Sequence, residues 1–85
     1  MEYKESLKKE TEKWLERLKN RIESIRIIRD SPELRNCLEN IEAYRRDSEY
    51  FIKKGDFLRG FEAVVYAWGI LETCERLKLI SLSST

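Results

Sequence analysis

From residue 3 to residue 28 the inward-facing positions are Tyr3, Leu7, Thr11, Trp14, Leu18, Ile22, Ile25 and Ile28, separated by steps of three and four. The mean step is close to the helical repeat of about 3.6, so the pattern predicts one long amphipathic helix over residues 3–28. Its outer faces carry opposite charges three or four apart, as in Glu5 with Lys9, Glu16 with Lys19 and Lys19 with Glu23. Such pairs contribute about 0.2–0.5 kcal/mol each and serve solubility more than folding.

Asp30-Ser31-Pro32-Glu33 reads as a break and restart. Ser31 can accept from a free backbone N–H, Pro32 has no N–H to lose in a first turn, and Glu33 suits the positive end of a helix. The second helix then presents Leu34, Cys37, Leu38, Ile41, Tyr44, Ser48, Phe51 and Ile52 inward. Gly55 supplies the left-handed conformation that commonly closes a helix, and Asp56 is placed to cap the next one. Gly55 and Asp56 are therefore the structural turn.

The third helix, over residues 57–79, carries two neighbouring stripes. Phe57, Phe61, Val64, Trp68 and Leu71 form a bulky one, assigned to helix one. Gly60, Ala63, Ala67, Ile70, Cys74 and Leu77 form a smaller one, assigned to helix two because small residues let helix backbones approach closely. The fold expected is all-α, an antiparallel three-helix bundle with helix three the most buried. Residues 1–80 make a single helical domain, and a Ser-rich tail over residues 81–85 is expected to fray.

Cys37 and Cys74 check the register. With residues 55 and 56 at the turn, positions whose numbers add to 111 sit at equal height on the two helices, and these cysteines meet that condition. They are expected to be neighbours, read first as two small buried hydrophobes and second as a disulfide. Two thiolates without a histidine do not complete a zinc site, and their separation is not a CxxC redox motif.

Composition narrows the classes further. Eighty-five residues lie near the lower size at which one core stabilises a fold without metals or several disulfides. Seventeen basic residues against sixteen acidic leave a formal charge of +1, so no long-range field draws the chain to nucleic acid or anionic lipid. The absence of His and Gln, a single Met and an abundance of Lys, Arg and Glu fit a protein from a hot environment. The longest uncharged run, residues 63–71, falls well short of the roughly 20 residues of a membrane span, and the N-terminal residues alternate in charge where a signal peptide is apolar. A cytoplasmic protein is the expectation.

Catalytic constellations are scarce. Without His, the Ser-His and Cys-His nucleophiles, most zinc sites and the histidine nuclease motifs are excluded. Gly55, Gly60 and Gly69 are too dispersed to cradle phosphate. Carboxylates approach one another as Glu39 with Glu42 and as Asp47 near Glu62, an arrangement that can hold a divalent cation. The preferred reading of Asp47 and Glu62 is hydrogen bonding or ion pairing with Arg45, Arg46 or Arg59. No catalytic residue, cofactor or metal is expected, and the chain is read as not an enzyme.

Two binding readings remain. Phe57, Phe61 and Trp68 are read as core, but Tyr50, Leu58, Val65 and Tyr66 fall outside both stripes. Burying three such side chains in an interface contributes roughly 1.5–3 kcal/mol each, comparable in sum with the stability of a domain of this size. The first reading is accordingly an interaction module, a homodimer or a partner for another protein, docking along helix three. The alternative is a small nucleic-acid-binding accessory protein using Arg45, Arg46, Lys53 and Lys54, with Tyr50 available to stack on a base. Acidic residues interleave every basic cluster, so nucleic acid is the weaker partner, and no membrane partner is expected.

Asp47-Ser48-Glu49-Tyr50-Phe51, Gly55-Asp56, Phe61-Glu62-Ala63 and Tyr66-Ala67-Trp68-Gly69, in that order, resemble the shared motif of an archaeal family of small helical proteins, domain of unknown function 357. The resemblance runs from near Tyr44 to Leu79, about half the chain. It implies an archaeal source and a helical fold, and carries no established activity and no site residues. More weakly, the hairpin of helices two and three is similar to a tetratricopeptide unit, with Gly60 and Ala67 at its small positions and Gly55-Asp56 at its turn. One copy does not form the groove of a repeat array. The chain is also similar to small helical domains associated with nucleotidyltransferases, some of them ribonucleases using an Arg and a His, and the missing His argues against that activity.

Overall fold

The computed structural model describes residues 2–82. Three helices carry the fold, α1 (Glu2–Glu23), α2 (Pro32–Lys53) and α3 (Phe57–Arg76), joined by a small two-stranded sheet of β1 (Ile25–Ile27) and β2 (Ile80–Leu82). Local chemistry sets the joints. Ser31 accepts from the backbone N–H of Leu34 with Pro32 at the first helical position, and Asp56 accepts from the N–H of Arg59. Between them the Gly55 backbone turns left-handed at φ 81°, and the N–H groups of Gly55 and Asp56 donate to the carbonyls of Ile52 and Phe51. The α2–α3 hairpin is therefore closed as its sequence requires.

The closest-packed pair is α2 with α3, followed by α1 with α3. Leu15, Leu18, Leu34, Ile41, Val64, Ala67, Leu71, Cys74 and Ile80 form the buried core. The two-stripe reading of α3 is right in its main contacts. Trp68, of the bulky stripe, packs edge-on against Trp14 of α1 with centroids 5.7 Å apart, and its indole N–H donates to the Trp14 carbonyl at 3.2 Å. Gly60, of the small stripe, lets α3 meet α2 so closely that an added Cβ would lie 3.2 Å from the Ile52 side chain. Two polar residues are buried at this level without cost to pairing: Ser48 donates to the Gly60 carbonyl at 2.8 Å and Thr11 to the Leu7 carbonyl at 2.7 Å.

The ends of the helices depart from the all-α expectation. The first helix does not continue to residue 28; it stops at Glu23, and Ile25–Ile27 becomes an antiparallel strand paired as Ile25 with Leu82, Arg26 with Ser81 and Ile27 with Ile80. The third helix ends at Arg76, not at residue 79, and Leu77 is exposed instead of facing α2. Ser81 and Leu82, expected to fray, are paired in β2; residues 83–85 lie outside the described residues. The cause is the β-branched run Ile25-Arg26-Ile27, poor in helix and good on a pleated surface. A second segment that buries Ile80 completely lies beside it. The N–H groups of Ile28 and Arg29 also donate to the Leu79 carbonyl. The resulting clasp ties the α1–α2 connection to the chain that follows α3.

Candidate interaction face

At about 100° per residue the outward side of α3 carries Leu58, Glu62, Val65, Tyr66, Gly69, Thr73 and Arg76, with the C-cap Leu77 just beyond, so Glu62 separates Leu58 from an apolar patch of Val65, Tyr66 and Leu77. Tyr50, Leu58, Val65 and Tyr66 are 56%, 55%, 49% and 62% exposed, and Leu77 is 63% exposed. Leu58, Val65 and Tyr66 fall off the side of α3 that packs on α1 and α2, and of the three Tyr66 keeps a ring contact with α2.

The structure does not bring the four predicted residues into one patch of equal character. Val65 and Tyr66 line an open groove of about 610 Å³ with Cys37, Gly69, Ile70, Thr73, Cys74, Leu77 and Leu79. Tyr66 also stacks on Tyr44 of α2, centroids 5.5 Å apart and planes at 25°, which fixes the ring as one wall. Tyr50 sits on α2 near the hairpin turn, edge-on to Phe51 with the Lys54 ammonium 5.5 Å over its ring. Leu58 lies in the first turn of α3.

Sequence reasoning misses Leu77, Leu79 and Gly69 as parts of this groove. A helix read through to residue 79 places Leu77 on the stripe facing α2. The end of α3 at Arg76 turns Leu77 outward and folds Leu79 back under it, with the Leu79 N–H donating to the Cys74 carbonyl. Gly69 carries a usable signal: it is a glycine in mid-helix, and a Cβ added there would meet nothing within 4 Å, so the backbone is open to approach.

The polar candidates are dispersed. Asp47 and Glu62 are exposed, and the arginines expected to engage them pair elsewhere: Arg45 with Glu42 at 2.7 Å and Glu49 at 3.1 Å, Arg59 with Asp56 at 3.6 Å. The Glu42 carboxylate holds the Arg45 guanidinium above its ordinary value. Lys19, expected to pair along α1, reaches Glu49 of α2 at 2.7 Å. Among the described residues no group of three or more His, Cys, Asp or Glu is placed to hold a metal ion, and no helix is long and apolar enough to cross a membrane. Cys37 and Cys74 carry free thiols and border the same groove from facing helices, the juxtaposition expected from the hairpin register.

These features define a small, mostly helical domain whose conspicuous surface is an apolar helix face. The chain belongs to the DUF357 family, whose model, described as a protein of unknown function, matches residues 13–80. The match includes the second half of α1 and the clasp segment β1, well beyond the motif near the hairpin. It is similar to the crystal structure of protein AF1782 from Archaeoglobus fulgidus, of the same family, at 41% identity and a TM-score of 0.82, covering 95% of this chain and 99% of that one. No match was found among curated proteins.

Proposed function

We propose that this chain is a non-catalytic interaction module that docks a helix along α3, in the first instance the α3 of a second copy. The observation that carries this reading is the apolar patch on the C-terminal half of α3 and its end, where Val65, Tyr66 and Leu77 stay exposed around a groove lined mostly by carbon. Covering what stays exposed of these three half-buried side chains contributes roughly 1–1.5 kcal/mol each before the cost of association is subtracted. The hairpin's tetratricopeptide-like form is consistent with a scaffold that presents a helix face. The archaeal relative supports an archaeal source for this chain as well.

Sedimentation of the purified protein from low to high micromolar concentration tests the reading. A reversible dimer is expected, and Val65→Asp, placing a carboxylate on the face, returns it to monomer. A wild-type chain that stays monomeric at high micromolar concentration overturns self-association. The nucleic-acid alternative is weakened by Arg45, whose guanidinium is already shared by two carboxylates. A salt-dependent mobility shift with RNA, lost on changing Arg46 and Lys53, is the result that favours it.

A further inference from the structure

The two cysteines of this chain lie at the end of the α2–α3 hairpin away from its turn, one on each helix. Cys74 is 3% exposed on the buried side of α3. Cys37 is half-buried on α2, on the facing helix at the matching height of the hairpin. Both border the open groove beside Val65, Ile70 and Leu77, and a molecule as small as a peroxide reaches the half-buried Cys37 from solvent. The helices are held in their tightest contact by Gly60, Ala63 and Ala67, all buried, and the two sulfurs do not depend on a mobile loop to meet.

We propose that Cys37 and Cys74 form a two-electron redox site, in which hydrogen peroxide oxidises Cys37 and Cys74 resolves it into an intramolecular disulfide that staples α2 to α3. Burial, with the neighbouring thiol, pushes the Cys74 thiol up, so the first attack falls to the more open Cys37. The Cys37 thiolate attacks one peroxide oxygen, the O–O bond breaks, and the departing hydroxide is protonated to water, leaving a sulfenic acid. The Cys74 sulfur then attacks the Cys37 sulfur. The S–S bond forms as the S–O bond breaks, and hydroxide leaves with the Cys74 proton as a second water. Two thiols and one peroxide become one disulfide and two waters. This chemistry does not rest on the docking reading; it requires the groove to be uncovered when peroxide arrives, as it is in the single chain.

The reduced full chain, treated with a small excess of hydrogen peroxide, supplies the test. Intact mass is expected to fall by two hydrogen atoms, with no dimer on non-reducing electrophoresis and a cross-linked peptide joining Cys37 to Cys74. Closing a loop of this length raises the melting temperature by roughly 15–30 °C, and dithiothreitol reverses both changes. In Cys74→Ser, Cys37 stops at the sulfenic acid and is captured by dimedone, while Cys74 in Cys37→Ser is labelled far more slowly. Oxygen added without a bridge, a bridge found only between chains, an unchanged melting temperature after oxidation, or equal labelling of the two variants overturns the proposal.

Discussion

Gly55 and Lys78 occupy the same left-handed position after α2 and α3, at φ 81° and 62°. Each is flanked by the same pair of hydrogen bonds: Gly55 to Ile52 and Asp56 to Phe51 after α2, Lys78 to Glu75 and Leu79 to Cys74 after α3. Lysine bears a Cβ penalty there that glycine does not, so Lys78→Gly is expected to stabilise the fold by about 1 kcal/mol, read by urea unfolding. The remaining glycines differ by what surrounds them. Gly69 has open space where a Cβ would stand, and Gly69→Ala is expected to add about 0.5–1 kcal/mol through helix propensity. A Cβ added at Gly60 would lie 3.2 Å from the Ile52 side chain, 3.4 Å from the Ser48 carbonyl and 3.6 Å from Thr11. Gly60→Leu has to push two helices apart, and a loss of about 2 kcal/mol or more is expected in the same measurement.

Between elements, the clasp and one ion-pair chain hold what the hairpin alone does not. Ile80 is fully buried in β2, against a strand that its own sequence neighbourhood does not contain. Ile80→Ala is expected to cost about 3 kcal/mol and to expose the amides of Ile28 and Arg29 to hydrogen exchange, because both donate to Leu79 next to it. Across α1 and α2, the Lys19 ammonium hydrogen-bonds Glu49 and holds its carboxyl below the usual 4.5 despite partial burial, with Arg45 adding to the effect. A carboxyl lowered on folding stabilises the protein above its unfolded value, and that contribution disappears as pH falls through the lower folded value. Thermal melts should therefore show a loss between neutral pH and pH below 4.5 that is smaller in Glu49→Gln. The pair is partly exposed, so the difference is about 0.5 kcal/mol.

For the whole molecule, the decisive quantity is association. A folded state that dimerises gains stability by mass action, so the wild-type melting temperature is expected to rise with protein concentration, while that of Val65→Asp stays constant. Scanning calorimetry over a hundredfold concentration range, on the order of micromolar to a tenth of millimolar, reads both. A concentration-independent wild-type melt overturns the dimer. The molecule's extent of 45 × 26 × 17 Å leaves α3, about 30 Å long at 1.5 Å per residue, with a face long enough for a second helix to lie along it.

Much of this architecture is legible in the chain itself. The caps at Ser31 and Asp56, the left-handed Gly55, the two stripes of α3 and the Cys37–Cys74 register all follow from residues within a few positions of one another or from a single turn. So does the exposure of Tyr50, Leu58, Val65 and Tyr66, which fall off the buried stripes. What local pattern does not disclose is the fate of Ile25–Ile27 and Ile80–Leu82. Ile22, Ile25 and Ile28 keep helical spacing, and the helix yields because each segment finds a hydrogen-bonding partner more than fifty residues away. Periodicity carries no information about such a partner. The groove is undecided in the sequence for the same reason: Leu77 and Leu79 become its floor and wall only once the end of α3 at Arg76 turns one out and folds the other back. Short-range stereochemistry chooses helices, caps and turns; pairing between distant segments, and the surface it leaves uncovered, exists only in the assembled molecule.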